Sequence, residues 1–113
     1  MSRRLFVALL GLGLALFLVP QVSLAAEEDH IAEAIAHTRQ AISHGKNAHA
    51  DTLGEHAKVA LSHARAAEIA NANPHTEEAI THLKQAIDEG NKGNAQMATT
   101  HAEAALTHLE QVK

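Results

Sequence analysis

Apolar side chains recur at intervals of three, four and seven residues in four stretches: Ile31, Ile35 and Ile42; Leu53, Ala57, Ala60, Leu61 and Ala64; Ile80, Leu83 and Ile87; Ala98, Ala105, Leu109 and Val112. That spacing builds one face of an α-helix, and no alternating β-rich segment interrupts it. Between the stretches stand SHGKN with Gly45, NANPHT with Pro74 set for the first helical position after an Asn cap, and DEGNKGN with Gly90 and Gly93. The pattern predicts helices near 27–44, 47–71, 74–89 and 94–112. Short connections make successive helices antiparallel neighbours, so the expected fold is all-α: an up-down-up-down four-helix bundle. The large apolar residues available to its core are few: Ile31, Ile35, Ile42, Leu53, Val59, Leu61, Ile69, Ile80, Leu83, Ile87, Met97, Leu106, Leu109 and Val112. Alanine supplies most of the rest. It favours helix strongly but buries little area, which implies modest stability.

A fifth apolar run, Leu5 to Val19, has a different character. Arg3 and Arg4 precede it, Pro20 ends it, and Ser23-Leu24-Ala25 offers small residues at both positions of a cleavage site. This reads as a secretory signal peptide over residues 1–25, cut after Ala25 or Ala26. The alternative, a retained membrane anchor, needs about 20 apolar residues. Cleavage leaves the bundle at 26–113 as a periplasmic domain with no membrane segment. It also removes Phe6 and Phe17, the two phenylalanines of a chain without Trp or Tyr. Losing Arg3 and Arg4 from nine Lys+Arg leaves seven against thirteen Asp+Glu, a formal charge of −6. An acidic surface without a basic patch argues against nucleic acid as partner. With no cysteine, an exported domain must hold itself together by packing or by a ligand.

The chain repeats itself at a shift of 45 residues without a gap. His30 meets His75, Ile35 meets Ile80, His37 meets His82, and QAI at Gln40–Ile42 meets QAI at Gln85–Ile87. HAKVALSH from His56 meets HAEAALTH from His101, and 15 of the 39 paired positions are identical. The unit is a helical hairpin written twice. The second copy departs where His44 becomes Glu89 and His49 becomes Asn94.

All ten histidines lie in this region, and most are seven apart. Seven residues turn a helix by about 700°, within about 20° of two full turns. His30, His37 and His44 therefore form a rail along the first helix, and His49, His56 and His63 one along the second. His75 with His82, and His101 with His108, make shorter rails. Each rail lies about 80–120° from the centre of its apolar stripe, at the shoulder of the core-facing side. In an antiparallel hairpin, residues at equal height have a constant sum of numbers. The pairs His44/His49, His37/His56 and His30/His63 share one sum, and His75/His108 and His82/His101 share another. The rails can thus face each other as ladders with five rungs. A bundle of the opposite hand would instead pair them across helices two and three, and four and one. The lean of helical side chains toward the N-terminus can shift the pairing by a few residues.

Carboxylates join the rails. Glu33 lies three residues after His30 and four before His37, and Glu78 holds the same place between His75 and His82. Met97, four before His101, is either core or a soft ligand. Two imidazoles with a carboxylate or water are ordinary ligation for a borderline divalent ion. Without thiolates, affinity favours Cu²⁺, with Ni²⁺ and Zn²⁺ behind it. The expected metal ligands are therefore the ten histidines with Glu33 and Glu78. The expected function is a periplasmic buffer, store or chaperone for several divalent ions, mainly copper.

Other classes fit less of the sequence. Surface histidines can be neutral filler carried along by duplication. Histidine titrates near about pH 6.5, so stacked rungs would repel on protonation; the alternative function is a pH-responsive periplasmic helical chaperone or stress protein. A client-binding chaperone would want an exposed apolar or basic concave face, and none is legible. An enzyme is not expected. No Ser or Cys nucleophile has a triad-like setting, and no C-x-x-C-H exists for haem. A ferritin-like centre needs Glu-x-x-His pointing inward, whereas here the histidine follows at i+4 on a shoulder.

The leader, the His-bearing heptads, the missing cysteines and the paired hairpins together resemble the periplasmic small metal-binding protein (SmbP) family. HTRQAISHGKNAHADTLGEHAKVALSHARAAEIA carries the resemblance, with HTEEAITHLKQAIDEGNKG and HAEAALTHLEQVK. It covers essentially the whole chain after the leader. It implies a monomeric four-helix bundle that binds several divalent ions, copper foremost, with a part in copper handling or detoxification. Neither the family nor the sequence names a delivery partner.

Overall fold

A computed structural model describes residues 29–113; the leader expected over 1–25 lies outside the described residues. Those residues form four helices and no strand: α1 His30–Lys46, α2 Ala50–Ala70, α3 Pro74–Asn91 and α4 Ala95–Leu109. Each helix packs on its two neighbours around the ring α1–α2–α3–α4, and α2 and α4 also approach across the diagonal. This is the up-down-up-down bundle that the apolar periodicity predicts. Among the described residues, no helix is long and apolar enough to cross a membrane.

Local chemistry sets the helix ends and moves several from their expected places. The first helix begins at His30 rather than near 27, because Asp29 is its N-cap and accepts a hydrogen bond from Ala32 N at 3.0 Å. Asn73 caps α3 as expected, accepting from His75 N at 2.8 Å, with Pro74 in the first turn. The C-terminal ends differ more. Gly45 and Gly90, expected as breaks, are buried inside the last turns of α1 and α3. Each hairpin turn is closed by a Schellman motif. In the first, His49 N donates to His44 O at 2.9 Å and Ala48 N to Gly45 O at 3.0 Å. In the second, Asn94 N donates to Glu89 O at 2.9 Å and Gly93 N to Gly90 O at 3.0 Å. The left-handed residue that stops the helix is Gly93, with φ of 82°, and at the matching place 45 residues earlier Ala48, with φ of 63°.

The buried glycines serve close packing. A Cβ on Gly45 would overlap Thr99 Oγ1 of α4 and Leu53 of α2, and one on Gly90 would stand 3.0 Å from Ala50 O of α2, near Gly54. Gly54 and Thr99 are themselves 45 apart, so the same contact recurs on both sides of the bundle.

Alanine dominates the core: Ala34, Ala41, Ala57, Ala60, Ala64, Ala79, Ala86, Ala98, Ala102 and Ala105 are wholly buried. The bulk comes from Leu53, Leu83 and Leu109. Ile31, Ile35, Ile80, Ile87 and Leu106 close the rim half-buried. Three of the large apolar residues available to the core are not in it: Val59 is 41% exposed, Met97 50% and Ile69 87%. Small alanines draw the helices close together, so only positions at the centre of each stripe reach the interior. Thr38 and Thr99 are buried beside them. Thr38 Oγ1 donates to Ala34 O, and Thr99 Oγ1 to Ala95 O, both at 2.7 Å. Each hydroxyl is satisfied within its own helix.

Candidate metal centre

The histidine rails face each other within each hairpin. In the first, ring centres are 5.3 Å apart for His30/His63, 5.9 Å for His37/His56 and 6.1 Å for His44/His49. In the second they are 5.5 Å apart for His75/His108 and 5.8 Å for His82/His101. The equal-height rungs are thus all present, and no histidine ring contact among the described residues crosses from one hairpin to the other. Nine of the ten histidines are half-buried, as a shoulder position requires; His49, at the N-cap of α2, is exposed.

The turn explains the five-residue gap. A Schellman motif brings the residue three from the helix end alongside the second residue beyond it. Those residues are His44 and His49. In the second hairpin they are Glu89 and Asn94, and Asn94 Nδ2 donates to Glu89 Oε1 at 2.8 Å.

Diagonal contacts join the rungs into a zipper. His37 stacks on His63 at 6.0 Å and 8°, His44 on His56 at 5.1 Å and 6°, and His82 on His108 at 5.7 Å and 12°. Side chains lean toward the N-terminus of their own helix. In an antiparallel pair the two leans oppose each other, so His37 moves up to meet His63 while His63 comes down. These diagonal partners gather the ligand-capable groups. Glu33, His37 and His63 place one donor atom each within 4.8 Å of one another, and so do Glu78, His82 and His108. The two groups are related residue for residue by the 45-residue shift. Sequence reasoning placed Glu33 and Glu78 on the right face, but set each between two histidines of its own helix. Their second histidine comes instead from across the hairpin, one rung away.

The chemistry of these groups fits a divalent cation. Donors bound at about 2.0–2.2 Å to one ion stand roughly 3–4 Å apart, so rotamer adjustments would close the groups. His37 Nδ1 and His82 Nδ1 are buried with no hydrogen-bond partner. An orphaned buried nitrogen is costly, and a bound ion would satisfy it. It recurs at matching places in both groups.

The Nδ1 atoms of His30 and His63 are 3.1 Å apart, and those of His75 and His108 3.3 Å. Each contact is a hydrogen bond when one Nδ1 carries the N–H and the other offers its lone pair. Burial pushes the pKa of His56 below the usual 6.5, and the charges of His44 and His37 add to that effect. A neutral imidazole is the form that binds metal.

The fold and its paired carboxylate–imidazole groups define a helical metal-binding protein. The sequence pattern of one family, described as small metal-binding protein, matches residues 5–112. The chain belongs to the small metal-binding protein family. No curated protein matches the chain.

Proposed function

We propose that the protein is a periplasmic buffer for divalent metal ions, Cu²⁺ foremost, acting as store or chaperone rather than as enzyme. One observation carries the reading: the Glu–His–His group occurs twice, once in each hairpin, with the same three residues in the same relation. A cation held there bridges two helices through two imidazoles and one carboxylate. Imidazole-rich sites follow the order in which Cu²⁺ exceeds Ni²⁺ and Zn²⁺, which supports copper as principal cargo. The Arg3–Arg4 start and the apolar run to Val19 support export. Half-exposed ligands suit reversible loading, because ions reach them without opening the core. The bundle works as a monomer, since each group draws all its ligands from one chain.

Calorimetric titration of the chain lacking residues 1–25 with Cu²⁺, Ni²⁺ and Zn²⁺ tests this. The expected result is uptake of more than one ion per chain, tightest for Cu²⁺, with an affinity that falls between pH 7.5 and 5.5 as protons take the ligand nitrogens. Uptake unchanged at pH 5 would place the ions on carboxylates and overturn the histidine assignment.

A further inference from the structure

The internal repeat relates the α1–α4 seam to the α2–α3 seam, and the charges do not follow it. On α1–α4, Arg39 pairs with Glu110 at 2.8 Å and Lys46 reaches Glu103 at 3.7 Å. At the matching places Arg39 becomes Lys84 and Lys46 becomes Asn91, while Glu110 becomes Arg65 and Glu103 becomes Lys58. All four pairs share one sum of residue numbers, which sets Lys84 at the height of Arg65 and Asn91 at that of Lys58 on the packed helices α2 and α3. A seam that joins opposite charges on one side of the bundle gathers like charges on the other.

The strip holds three of the seven bases that follow residue 25. Among the described residues, Arg65 and Lys84 make no ion pair. The acids nearby are engaged elsewhere. Glu55 pairs with Lys58 at 3.3 Å, Asp88 pairs with Lys92 at 3.0 Å, and Glu68 accepts from Asn73 N at 3.0 Å. Glu77, one heptad before Lys84, ends the strip toward the α2–α3 connection. Ile69, 87% exposed, follows Arg65 by four residues and so shares its face of α2. An isolated surface isoleucine is ordinary. Beside an arginine that lacks a counter-charge, it has the make-up of a binding surface: an apolar anchor with Arg at its side.

We infer that Lys58, Arg65 and Lys84, with Ile69, form a docking surface on the α2–α3 seam for an acidic helix of a partner protein. Charge complementarity selects a partner that presents carboxylates. Lys58 and Arg65 are one heptad apart, about 10.5 Å along α2, so a helix laid along the seam meets them with its own glutamates at the same interval. An anionic bilayer fits worse. It faces the whole chain, whose formal charge after residue 25 is −6, whereas a narrow ridge touches the strip alone. The surface goes beyond the metal-binding reading, and only its use rests on that reading. The seam lies between the two ladders: α2 carries His56 and His63 on its other shoulder, and α3 carries His75 and His82. A partner seated there has a ladder on either side.

The probe is a synthetic peptide of about 20 residues, long enough to hold a helix, with glutamates one heptad apart around a single leucine on one face. A second peptide has the same composition with that face scrambled. Fluorescence anisotropy of the labelled peptides at low ionic strength gives their affinities for the metal-free protein. The protein should prefer the first peptide, and added salt should weaken the complex. Arg65→Glu with Lys84→Glu should lower the affinity at least about tenfold, and Ile69→Ser by a smaller factor. Arg39→Glu with Lys46→Glu makes the same charge change on the α1–α4 seam and should cost far less. Circular dichroism and Cu²⁺ uptake, both expected unchanged in every variant, keep folding and the metal-binding reading apart from the result. Equal losses in the two double variants, or equal affinity for the two peptides, would show that net charge alone acts and would overturn the surface. Vesicles of phosphatidylglycerol, bound where the peptides are not, would assign the strip to a membrane and overturn the protein partner. A parent protein that took up no Cu²⁺ would overturn the metal-binding reading and leave the docking result standing.

Discussion

At the scale of single residues, the crowding of imidazoles in the ladder falls on His56. His56 has a folded-state pKa below the 6.5 of an unfolded chain, because of burial and the charges of His44 and His37. The unfolded chain therefore takes up that proton more readily. The stability tied to neutral His56 is complete above about pH 6.5 and is lost as pH falls through the lower folded value. Metal-free protein should have a higher urea midpoint at pH 7.5 than at pH 5.5, and His56→Gln should narrow the gap; an unchanged gap would locate the pH dependence elsewhere. The diagonal zipper makes a second demand. His37→Ala and His63→Ala should each remove one bound Cu²⁺, and the double variant no more than one, since both residues belong to one group. His37→Ala with His82→Ala should remove two. Elemental analysis of the loaded variants separates this from pairing by equal height, under which His37 would share its loss with His56. The rungs were legible in the arithmetic of residue numbers. The choice of diagonal partners was not, because it depends on how far opposed side-chain leans carry each ring.

At the scale of elements, two close packings join the hairpins to each other, and two left-handed residues turn the chain within them. Gly45 and Gly90 look in sequence like helix stops, yet each lies in a last turn against the neighbouring helix. The stop comes three residues later, at Ala48 and Gly93. Ala48 is the anomaly, since a non-glycine residue at positive φ costs about 1–2 kcal/mol. Ala48→Gly should raise stability by about 0.5–1 kcal/mol after the added freedom of the unfolded chain is counted. Gly45→Ala, three residues earlier, should lower it by about 1–3 kcal/mol, because its methyl would overlap Thr99 and Leu53. Denaturant midpoints of the two variants, moving in opposite directions, check the assignment. Helix number and direction could be read from the chain because periodicity and short connections determine both. Helix ends could not, because a buried glycine and a turn glycine are the same letter. The centre of the core was legible in the apolar stripes, whose Leu53, Ala57, Ala60, Ala64, Leu83, Ala98, Ala105 and Leu109 are all wholly buried, while Val59, Ile69 and Met97 lie off the stripes and face outward.

At the scale of the whole molecule, the four seams of the bundle are unlike one another. Histidine ladders occupy the α1–α2 and α3–α4 seams. The α1–α4 side carries exposed ion pairs instead, Arg39 with Glu110 at 2.8 Å and Lys46 with Glu103 at 3.7 Å. Such pairs contribute on the order of 0–1 kcal/mol each. Ions bound in the ladders should raise the melting temperature, since a ligand at a hundred times its Kd stabilises by about 2.7 kcal/mol. Every such ion ties a helix to its hairpin partner, and none ties one hairpin to the other. Loading therefore strengthens two seams and leaves the other two to the glycine close packings, the alanine-rich core and surface charge. A molecule reinforced so unevenly loses unity as it gains stability. The metal-free bundle should melt as one cooperative unit, with calorimetric and van't Hoff enthalpies equal, whereas the loaded one should part into two stiff halves before either half unravels, its van't Hoff enthalpy falling below the calorimetric value.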